Sequence, residues 1–418
     1  MAWLGTVPTH WSVLPLKRIA GLVTDKAEQH SNPVALENIE GWTGRLTETD
    51  GQFEGEGVAF RGGDILFGKL RPYLAKVYLA DRTGEAVGDF YVIRPRPGFV
   101  VNRFLQYCLL ERAFIDIVNG ATFGSKMPRA SWDFVGSMPL CVPPVAEQAR
   151  IATFLDRETA KIDALVTEQQ RLIELLNQKR LAVISHAVTK GLDSTVTLKP
   201  SGIDWLGAIP EHWSCSALIR WAHRIVVGIA EAATHAYVDE GTPILRSTNI
   251  RPGRIVGELL HVEPSFAEDR QSKVMRAGDL VTVRTGNAGV TAVVPAELDG
   301  SQCFTMLITT LKPEEVPDFY CYWMNSSQAH YYFDVEGWGT AQVNISVPIL
   351  KALPVPRPPP REQAELVAFL DRETARLDSL LDEARRTIEL LHERRSALIS
   401  AAVTGQIDVR DVATRSAA

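Results

Sequence analysis

Side chains that suit polar recognition are concentrated in a few loops of this 418-residue chain. Arginine and lysine supply N–H donors, while asparagine and glutamine offer a donor beside an acceptor. The candidate residues of the N-terminal half are Lys69, Arg71, Tyr73, Thr122, Ser125, Lys126 and Arg129. Those of the C-terminal half are Arg246, Ser247, Asn249, Arg284, Thr285, Asn287, Thr340, Gln342 and Asn344. Such sets favour binding over catalysis, and ordinary solvated loop chemistry is the alternative for any one residue.

No motif for catalysis is complete. Gly63–Lys69 matches the phosphate-binding pattern G-x-x-x-x-G-K, but Leu70 stands where serine or threonine must ligate magnesium. The sequence contains no H-E-x-x-H, no G-x-S-x-G, and no tetrapeptide typical of amino methyltransferases. His10 and His212 each precede a tryptophan, and we interpret both as packing residues. We therefore expect no catalytic residues, no metal and no cofactor in this chain.

Composition is typical of a globular protein, with 45% apolar residues. No stretch approaches the roughly 20 apolar residues of a membrane span, and the first residues lack the pattern of a signal peptide. Five cysteines without a C-x-x-C pair argue against a disulfide framework and a zinc site. We expect a cytoplasmic protein.

Charge limits what the chain can bind unaided. The net charge is −6; residues 1–145 carry 15 basic and 15 acidic side chains, and residues 200–357 carry 12 basic and 17 acidic. Phosphate neutralisation supplies most non-specific affinity for nucleic acid. A nucleic-acid binder this acidic therefore needs basic partners.

An internal repeat determines the domain organisation. The opening Leu4–Trp11 recurs at 206–213, and Gly63-Asp64 recurs at 278–279, from where the offset stays at 215. In residues 154–193, 23 of 40 positions are identical to those in 369–408, whereas the preceding modules agree only at scattered positions. We predict modules at 1–145 and 200–357, with a helix and linker at 146–199 and a helix and tail at 358–418. Closely matching tails beside divergent modules favour one task performed on two targets; a duplication that only stabilises the protein is the alternative.

The coarse secondary structure predicts an α+β fold with two mixed α/β modules. Short β-rich runs include 64–67, 76–79 and 89–94 in the first module, and 279–284, 291–294 and 304–311 in the second. Each module then offers one helix, which Asn102 caps and Asn119-Gly120 ends in the first, and which Pro317 opens in the second. A proline-rich strand closes each module before a long helix at about 146–188 or 361–403.

Apolar residues of the long helices follow a heptad pattern, which predicts an antiparallel coiled coil with a module at each end. The alternative is that each helix packs on its own module. The predicted seam comprises Leu155, Ile162, Leu165, Leu172, Leu176, Leu370, Leu377, Leu380, Leu391 and Leu398.

These motifs, taken together and in this order, resemble the specificity subunits of Type I restriction-modification systems. The resemblance rests on the Leu-Gly-x-[Val/Ile]-Pro-x-His-Trp opening, the Gly-Asp-[Ile/Leu] strand, and the Pro-Pro-x-x-Glu-Gln entry to a Phe-Leu-Asp-Arg-Glu-Thr-Ala helix, each present twice. It implies a non-catalytic subunit whose modules, as target recognition domains, each read half of a split double-stranded DNA site through the loop residues named above. The helices would set the spacer between the halves.

The resemblance also implies partners. Two methyltransferase subunits would bind S-adenosylmethionine, and two restriction subunits, in systems that have them, would use ATP and magnesium. Two other hypotheses remain open: a standalone enzyme, and a coiled-coil scaffold whose two modules bind proteins instead of DNA.

Overall fold

The computed structural model describes residues 3–27, 32–47, 57–230, 236–268, 270–339 and 343–409. The chain divides into two compact units, which we call the first unit (Met1–Arg171 with Arg385–Ala418) and the second unit (Leu172–Ala384). Both divisions fall inside the long helices, so each unit combines one module with part of each helix. The predicted domain limits separate module from helix along the chain, and they stay predictions.

The first unit is a mixed α/β structure whose strands pair antiparallel, except that Pro33–Val34 and Gly84–Ala86 pair in parallel. Its strands are Ser12–Pro15, Ala20–Val23, Pro33–Val34, Val58–Phe60, Ile65–Gly68, Val77–Leu79, Gly84–Ala86, Phe90–Pro95 and Pro139–Val142. Its short helices are Leu16–Ile19, Asn102–Leu109, Arg112–Gly120 and Trp132–Ser137. The central sheet has the strand order 20–23, 90–95, 65–68, 77–79, with every neighbour antiparallel.

The second unit repeats this plan. Its strands are Leu198–Pro200, Ala208–Pro210, Ser214–Ala217, Ala222–Val227, Tyr237–Val238, Thr242–Leu245, Ile250–Arg251, Arg254–Ile255, Leu260–Val262, Leu280–Thr282, Thr291–Val293, Gln302–Cys303, Leu307–Leu311 and Pro354–Arg357. Its short helices are Pro264–Glu268, Pro317–Met324, Ser327–Glu336 and Val347–Ala352. The central sheet has the order 222–227, 307–311, 280–282, 291–293, matching the first strand for strand.

Each central sheet is buried on both faces, with alternate residues directed to different clusters. Ile65 and Phe67 join the cluster that contains the helices, whereas Leu66 packs in a second cluster with the smaller sheet. Leu280 and Val281 divide in the same way. The period of two along a strand requires this division, and it explains why these runs read as continuously apolar.

The Gly-Asp motif begins a central strand in both units. Gly63 and Gly278 have φ of +91° and +86°, a left-handed conformation that glycine adopts without steric cost. The Asp64 carboxylate is buried and accepts a bidentate pair of hydrogen bonds from Arg94 at 2.8 and 2.7 Å. Asp279 is also buried and lies 3.3 Å from Arg224. The motif therefore serves the fold.

The prediction of one helix per module was wrong, because the segment forms two helices in each unit. In the first unit Glu111 is extended and its carboxylate accepts the N–H of Phe114 at 2.6 Å, which begins a new helix. Ser326, at the equivalent position, caps the second helix of its pair. Asn102 is the first helical residue and not the cap, a position that Val101 occupies. Pro317 does lie in the first turn, as predicted.

The long helices extend over Val145–Lys190 and Pro360–Val403, which confirms the predicted pair. The predicted seam was wrong at three positions, since Leu165, Leu172 and Leu380 are 51%, 41% and 39% exposed. The buried residue lies one position later in each case: Val166 is buried, Ile173 is partly buried, and Leu381 is buried. The inward-facing heptad positions of the first helix include polar Thr159 and Gln169. A pattern based on leucines alone therefore places the seam one residue too early at Leu165 and Leu172.

The two helices run antiparallel within each unit. In the second unit Ile184 and Val188 share a cluster with Leu366 and Leu370, while further along Leu176 packs with Leu377 and Leu381. In the first unit the same cluster contains Ile151 and Leu155 together with Ile399, Ala402 and Val403. Both helices therefore complete the core of each module.

One ion pair between the helices is formed twice with exchanged roles. In the first unit Asp163 accepts from Arg395 at 3.0 Å, and its other oxygen accepts from Arg45 at 2.6 Å. In the second unit Arg180 lies 3.5 Å from Asp378. The offset of 215 relates Asp163 to Asp378 and Arg180 to Arg395, so the contact follows the internal repeat.

A Glu-Gln pair at the start of each long helix attaches it to the module. Glu147 accepts from the Trp11 indole at 3.2 Å and contacts His10 at 2.9 Å, while Glu362 makes the same contacts with Trp213 and His212 at 3.1 and 2.8 Å. The histidines therefore have a structural role, as predicted. The amides of Gln148 and Gln363 are fully buried and bonded to the backbone of the module.

We expect Asp163→Ala to cost far more stability than Asp378→Ala. Asp163 and Arg395 are both nearly buried, so removal of the carboxylate leaves a buried cation without its partner, at about 3 kcal/mol or more. The Arg180–Asp378 pair is longer and partly exposed, which limits its loss to about 1 kcal/mol. Urea denaturation of the full chain measures both. Because both substitutions replace a helical aspartate by alanine, the change in helix propensity is the same and cancels in the comparison. Equal losses of the free energy of unfolding would contradict the burial argument.

Candidate nucleic-acid interface

Two loops of the first unit meet to form one surface, which we call the first platform (residues 69–74 and 122–130). The backbone of Arg129 bonds to that of Phe123 in both directions at 3.0 and 3.1 Å, and Ala130 donates to the carbonyl of Lys69 at 2.9 Å. Arg71 has a φ of +49° and donates its N–H to the carbonyl of Pro128 at 2.8 Å. A non-glycine residue in this region is held by its surroundings. The two loops are therefore rigidly joined.

The first platform exposes cationic and aromatic side chains. Arg71, Tyr73, Ser125 and Lys126 are exposed. Lys69 is partly exposed, with its ammonium 3.9 Å from Asp89 and over the ring of Tyr91. Thr122 is partly exposed, and its hydroxyl donates to the carbonyl of Asn119. Six of the seven side chains predicted for this half are therefore accessible to a ligand.

Arg129 is the exception on the first platform. Its Nε and Nη2 donate to the two carboxylate oxygens of Asp89 at 2.9 and 2.8 Å, and this bond raises the pKa of the guanidinium. Because the Nε–Nη2 edge of the guanidinium is directed at Asp89, the side chain braces the loop. A direct role in reading a ligand stays a prediction for this residue, and its bracing role is what the geometry supports.

The second unit builds an equivalent surface, which we call the second platform (residues 284–289 with 338, 339, 343 and 344). Asn344 forms an antiparallel β-bridge with Thr285 and another with Trp338. In the second, the backbone N–H of each residue donates to the carbonyl of the other, at 3.0 and 3.3 Å. Arg284 donates through Nε to the Asn344 side chain at 3.0 Å. Thr285 and Asn287 are exposed. The predicted residues Thr340 and Gln342 lie outside the described residues.

The three remaining predicted residues lie on a separate turn after the strand Thr242–Leu245. Arg246 and Ser247 are exposed there. Asn249 is buried: its oxygen accepts the N–H of Arg246 at 3.0 Å, and its amide donates to the carbonyls of Val256 and Glu258. Asn38 makes the equivalent turn in the first unit. We therefore correct the choice of Asn249, because its polar atoms are used to organise the turn.

Two exposed aromatic residues were missed from the sequence. Phe123 and Trp338 are 63% and 59% exposed, and each forms the bridge that closes its platform. The offset of 215 relates them, and a glycine follows each. Comparing the two loops through the repeat would have found this pair, because an aromatic residue occupies the same position in otherwise dissimilar segments.

Two structural features bear on other classes of function. Within the described ranges, no three His, Cys, Asp or Glu side chains form a group able to hold a metal ion. In the same part of the chain, every helix is too short or too polar to cross a membrane.

Comparison with known proteins gives one class of relative. The chain is 24% identical over 193 residues to the specificity subunit of the Type I restriction enzyme EcoDI from Escherichia coli, covering 44% of this chain and 43% of that protein. It is 23% identical over 319 residues to the EcoBI specificity subunit of the same organism, covering 73% of this chain and 65% of that one. The alignments thus span less than two thirds of either relative. No family model matches the chain.

Solved structures confirm the fold. A chain from a study of complex assembly and conformational transition of the type I R-M system has a TM-score of 0.72 and 17% identity, with 96% of this chain and all of that one covered. The HsdS subunit from Thermoanaerobacter tengcongensis gives a TM-score of 0.55 at 17% identity, covering 96% and 98%. The resemblance that the repeated motifs indicated is confirmed.

We expect Arg129→Ala to loosen the first platform. The substitution removes the bidentate contact with Asp89, so the amides of Phe123 and Arg129 should exchange with deuterium severalfold faster, as measured by hydrogen exchange. Lys126→Ala, an exposed cation in the same loop, is the control and should leave the exchange unchanged. Unaltered exchange in Arg129→Ala would show that the backbone bridge needs no side-chain support.

Proposed function

We propose that this chain is the DNA sequence-specificity subunit of a Type I restriction-modification complex. Each module reads one half of a bipartite site in double-stranded DNA, and the paired helices set the distance between the halves. The similarity to specificity subunits and the duplicated platforms support this proposal.

The observation that carries the proposal is one platform built twice with different side chains. Lys69 and Leu70 in the first platform correspond to Arg284 and Thr285 in the second, and Arg129 corresponds to Asn344. A base pair is distinguished by its pattern of donors, acceptors and methyl groups, so two chemically different surfaces select two different sequences. The preserved backbone bridges keep both surfaces on the same kind of support.

The chain would act through partners and perform no chemistry itself. Methyltransferase subunits would contribute S-adenosylmethionine, and restriction subunits, where present, ATP and magnesium. With a net charge of −6, this chain gains little from phosphate attraction, so basic partner surfaces around the duplex would supply affinity while the platforms supply selection.

The long helices offer a surface for those partners. Several leucines outside the paired seam are exposed; they are Leu165, Leu172, Leu175, Leu181, Leu380 and Leu390. Four of them lie on the first long helix and two on the second, and exposed apolar residues grouped on a surface favour a protein interface. This observation also keeps the scaffold hypothesis as the second candidate, and partner binding with no dependence on DNA sequence would favour it.

Substitutions on the two platforms should act on separate half-sites. In the complex with methyltransferase subunits, Arg284→Ala should weaken selection at one base pair of the second half-site by about 1–3 kcal/mol, and Lys69→Ala should affect only the first half-site. Sequencing of methylated adenines in randomised DNA measures both preferences. The two variants serve as controls for each other, and a change in both half-sites from either one would contradict the assignment.

Lengthening both long helices should lengthen the spacer of the DNA site. One heptad inserted after Arg171 and one after Arg385 keeps the apolar phase and adds about 10 Å of helix. At 3.4 Å per base pair, the spacer should grow by about three base pairs while the half-sites stay the same. Methylation mapping reads the spacer directly. Four-residue insertions at the same places shift the heptad repeat, so they are the control and should impair assembly. If the spacer stays unchanged after the heptad insertions, the helices do not set the distance between the half-sites.

A further inference from the structure

The aromatic residues that close the two platforms are not explained by folding. Phe123 and Trp338 leave most of their surface in water, whereas Phe114 and Trp323 of the same modules are fully buried. Phe99 and Tyr331 are also more than half exposed, but the offset of 215 relates neither of them to an aromatic residue. Isolated apolar residues do occur on protein surfaces. Here, however, the exposure recurs at one repeat position in two modules that otherwise differ.

The backbone around each aromatic residue directs it outwards. Gly124 and Gly339 follow with φ of +96° and +118°, a region that residues with a Cβ rarely adopt. Immediately before the turn, each aromatic residue is fixed by its bridge to Arg129 or Asn344. The ring is thus presented on a short, hydrogen-bonded turn.

Polar contacts make this presentation rigid. Arg129 is tied to Asp89 in the first platform, and Asn344 is tied to Arg284 in the second. The first contact is an ion pair and the second is a hydrogen bond between a guanidinium and an amide, but both support the equivalent backbone bridge. Little conformational entropy remains to be lost on binding at these positions, which favours a preformed contact.

Cationic side chains accompany each ring. Lys69, Arg71 and Lys126 lie on the first platform, and Arg284 lies on the second. Such cations attract phosphates, and phosphate contacts would position each platform on the duplex. Stacking of an aromatic side chain on a base tolerates any base, so it complements the hydrogen bonds that select the sequence.

We propose that Phe123 and Trp338 are stacking wedges, each of which inserts against an unstacked base within its own half-site. The inference rests on the proposed function and adds to it a deformation of the DNA. Apolar side chains inserted at a base step unstack and kink the duplex. Methylation of an adenine requires the base to leave the stack, and a ring placed nearby would stabilise the opened duplex.

The test uses the full chain assembled with its methyltransferase subunits and a duplex that contains the mapped site. 2-Aminopurine replaces each adenine of the second half-site in turn, since its fluorescence rises when a base loses its stacked neighbours. We expect a change at one position in the native complex. Trp338→Ala should abolish that change and weaken binding roughly tenfold or more, while Trp338→Phe should retain both. Phe123→Ala should act only on the first half-site.

Val335→Ala is the matched control, because Val335 is equally exposed but lies on the helix Ser327–Glu336. It should leave affinity and fluorescence unchanged. If Trp338→Ala binds within about twofold of the native complex and keeps the fluorescence change, the stacking inference is overturned while the proposed function stands. A native complex without any sequence preference would overturn both.

Discussion

The structure depends on the burial of the apolar face of two long helices. Neither helix could leave that face in water, and each unit solves the problem in the same way. Residues from the start of one helix and the end of the other join the core of a module, as Leu155 does with Val403 in the first unit and Val188 does with Leu366 in the second. Module and helix therefore form a single hydrophobic core, and the helices cannot be removed without opening it.

The conserved ends of the helices follow from this constraint. Glu147 and Gln148, like Glu362 and Gln363, bind the tryptophan and the backbone of the adjoining module. The paired Asp163 and Arg395 are almost buried, so a change at either position would leave an uncompensated charge. The helical tails thus have many contacts to preserve, which explains why their identity between repeats is higher than that of the modules.

The platforms have the opposite requirement. Their backbone bridges are retained, but the side chains on them are free to vary because most point to solvent. Arg129 and Asn344 occupy equivalent positions of the repeat and show the extent of this freedom. Arg129 supports its loop through Asp89, and Asn344 supports its loop through Arg284. A surface that keeps its support and changes its chemistry is suited to two different ligands of one class, which is the basis of the proposed readout of two half-sites.

The repeat in the sequence determined the plan of the molecule: two equivalent modules, two long helices and a central Gly-Asp strand in each module. Such features are local or periodic, so spacing and residue type reveal them. The helix break at Glu111, the seam through Val166 instead of Leu165, and the structural role of Asn249 were decided by the tertiary structure. Glu111 also accepts from Ser400 of the second long helix, Val166 is buried by packing of its helix, and Asn249 is held by hydrogen bonds that its residue type alone does not reveal. The exposed rings of Phe123 and Trp338 belong to the same class, because exposure is a property of the packed chain and no residue type encodes it alone.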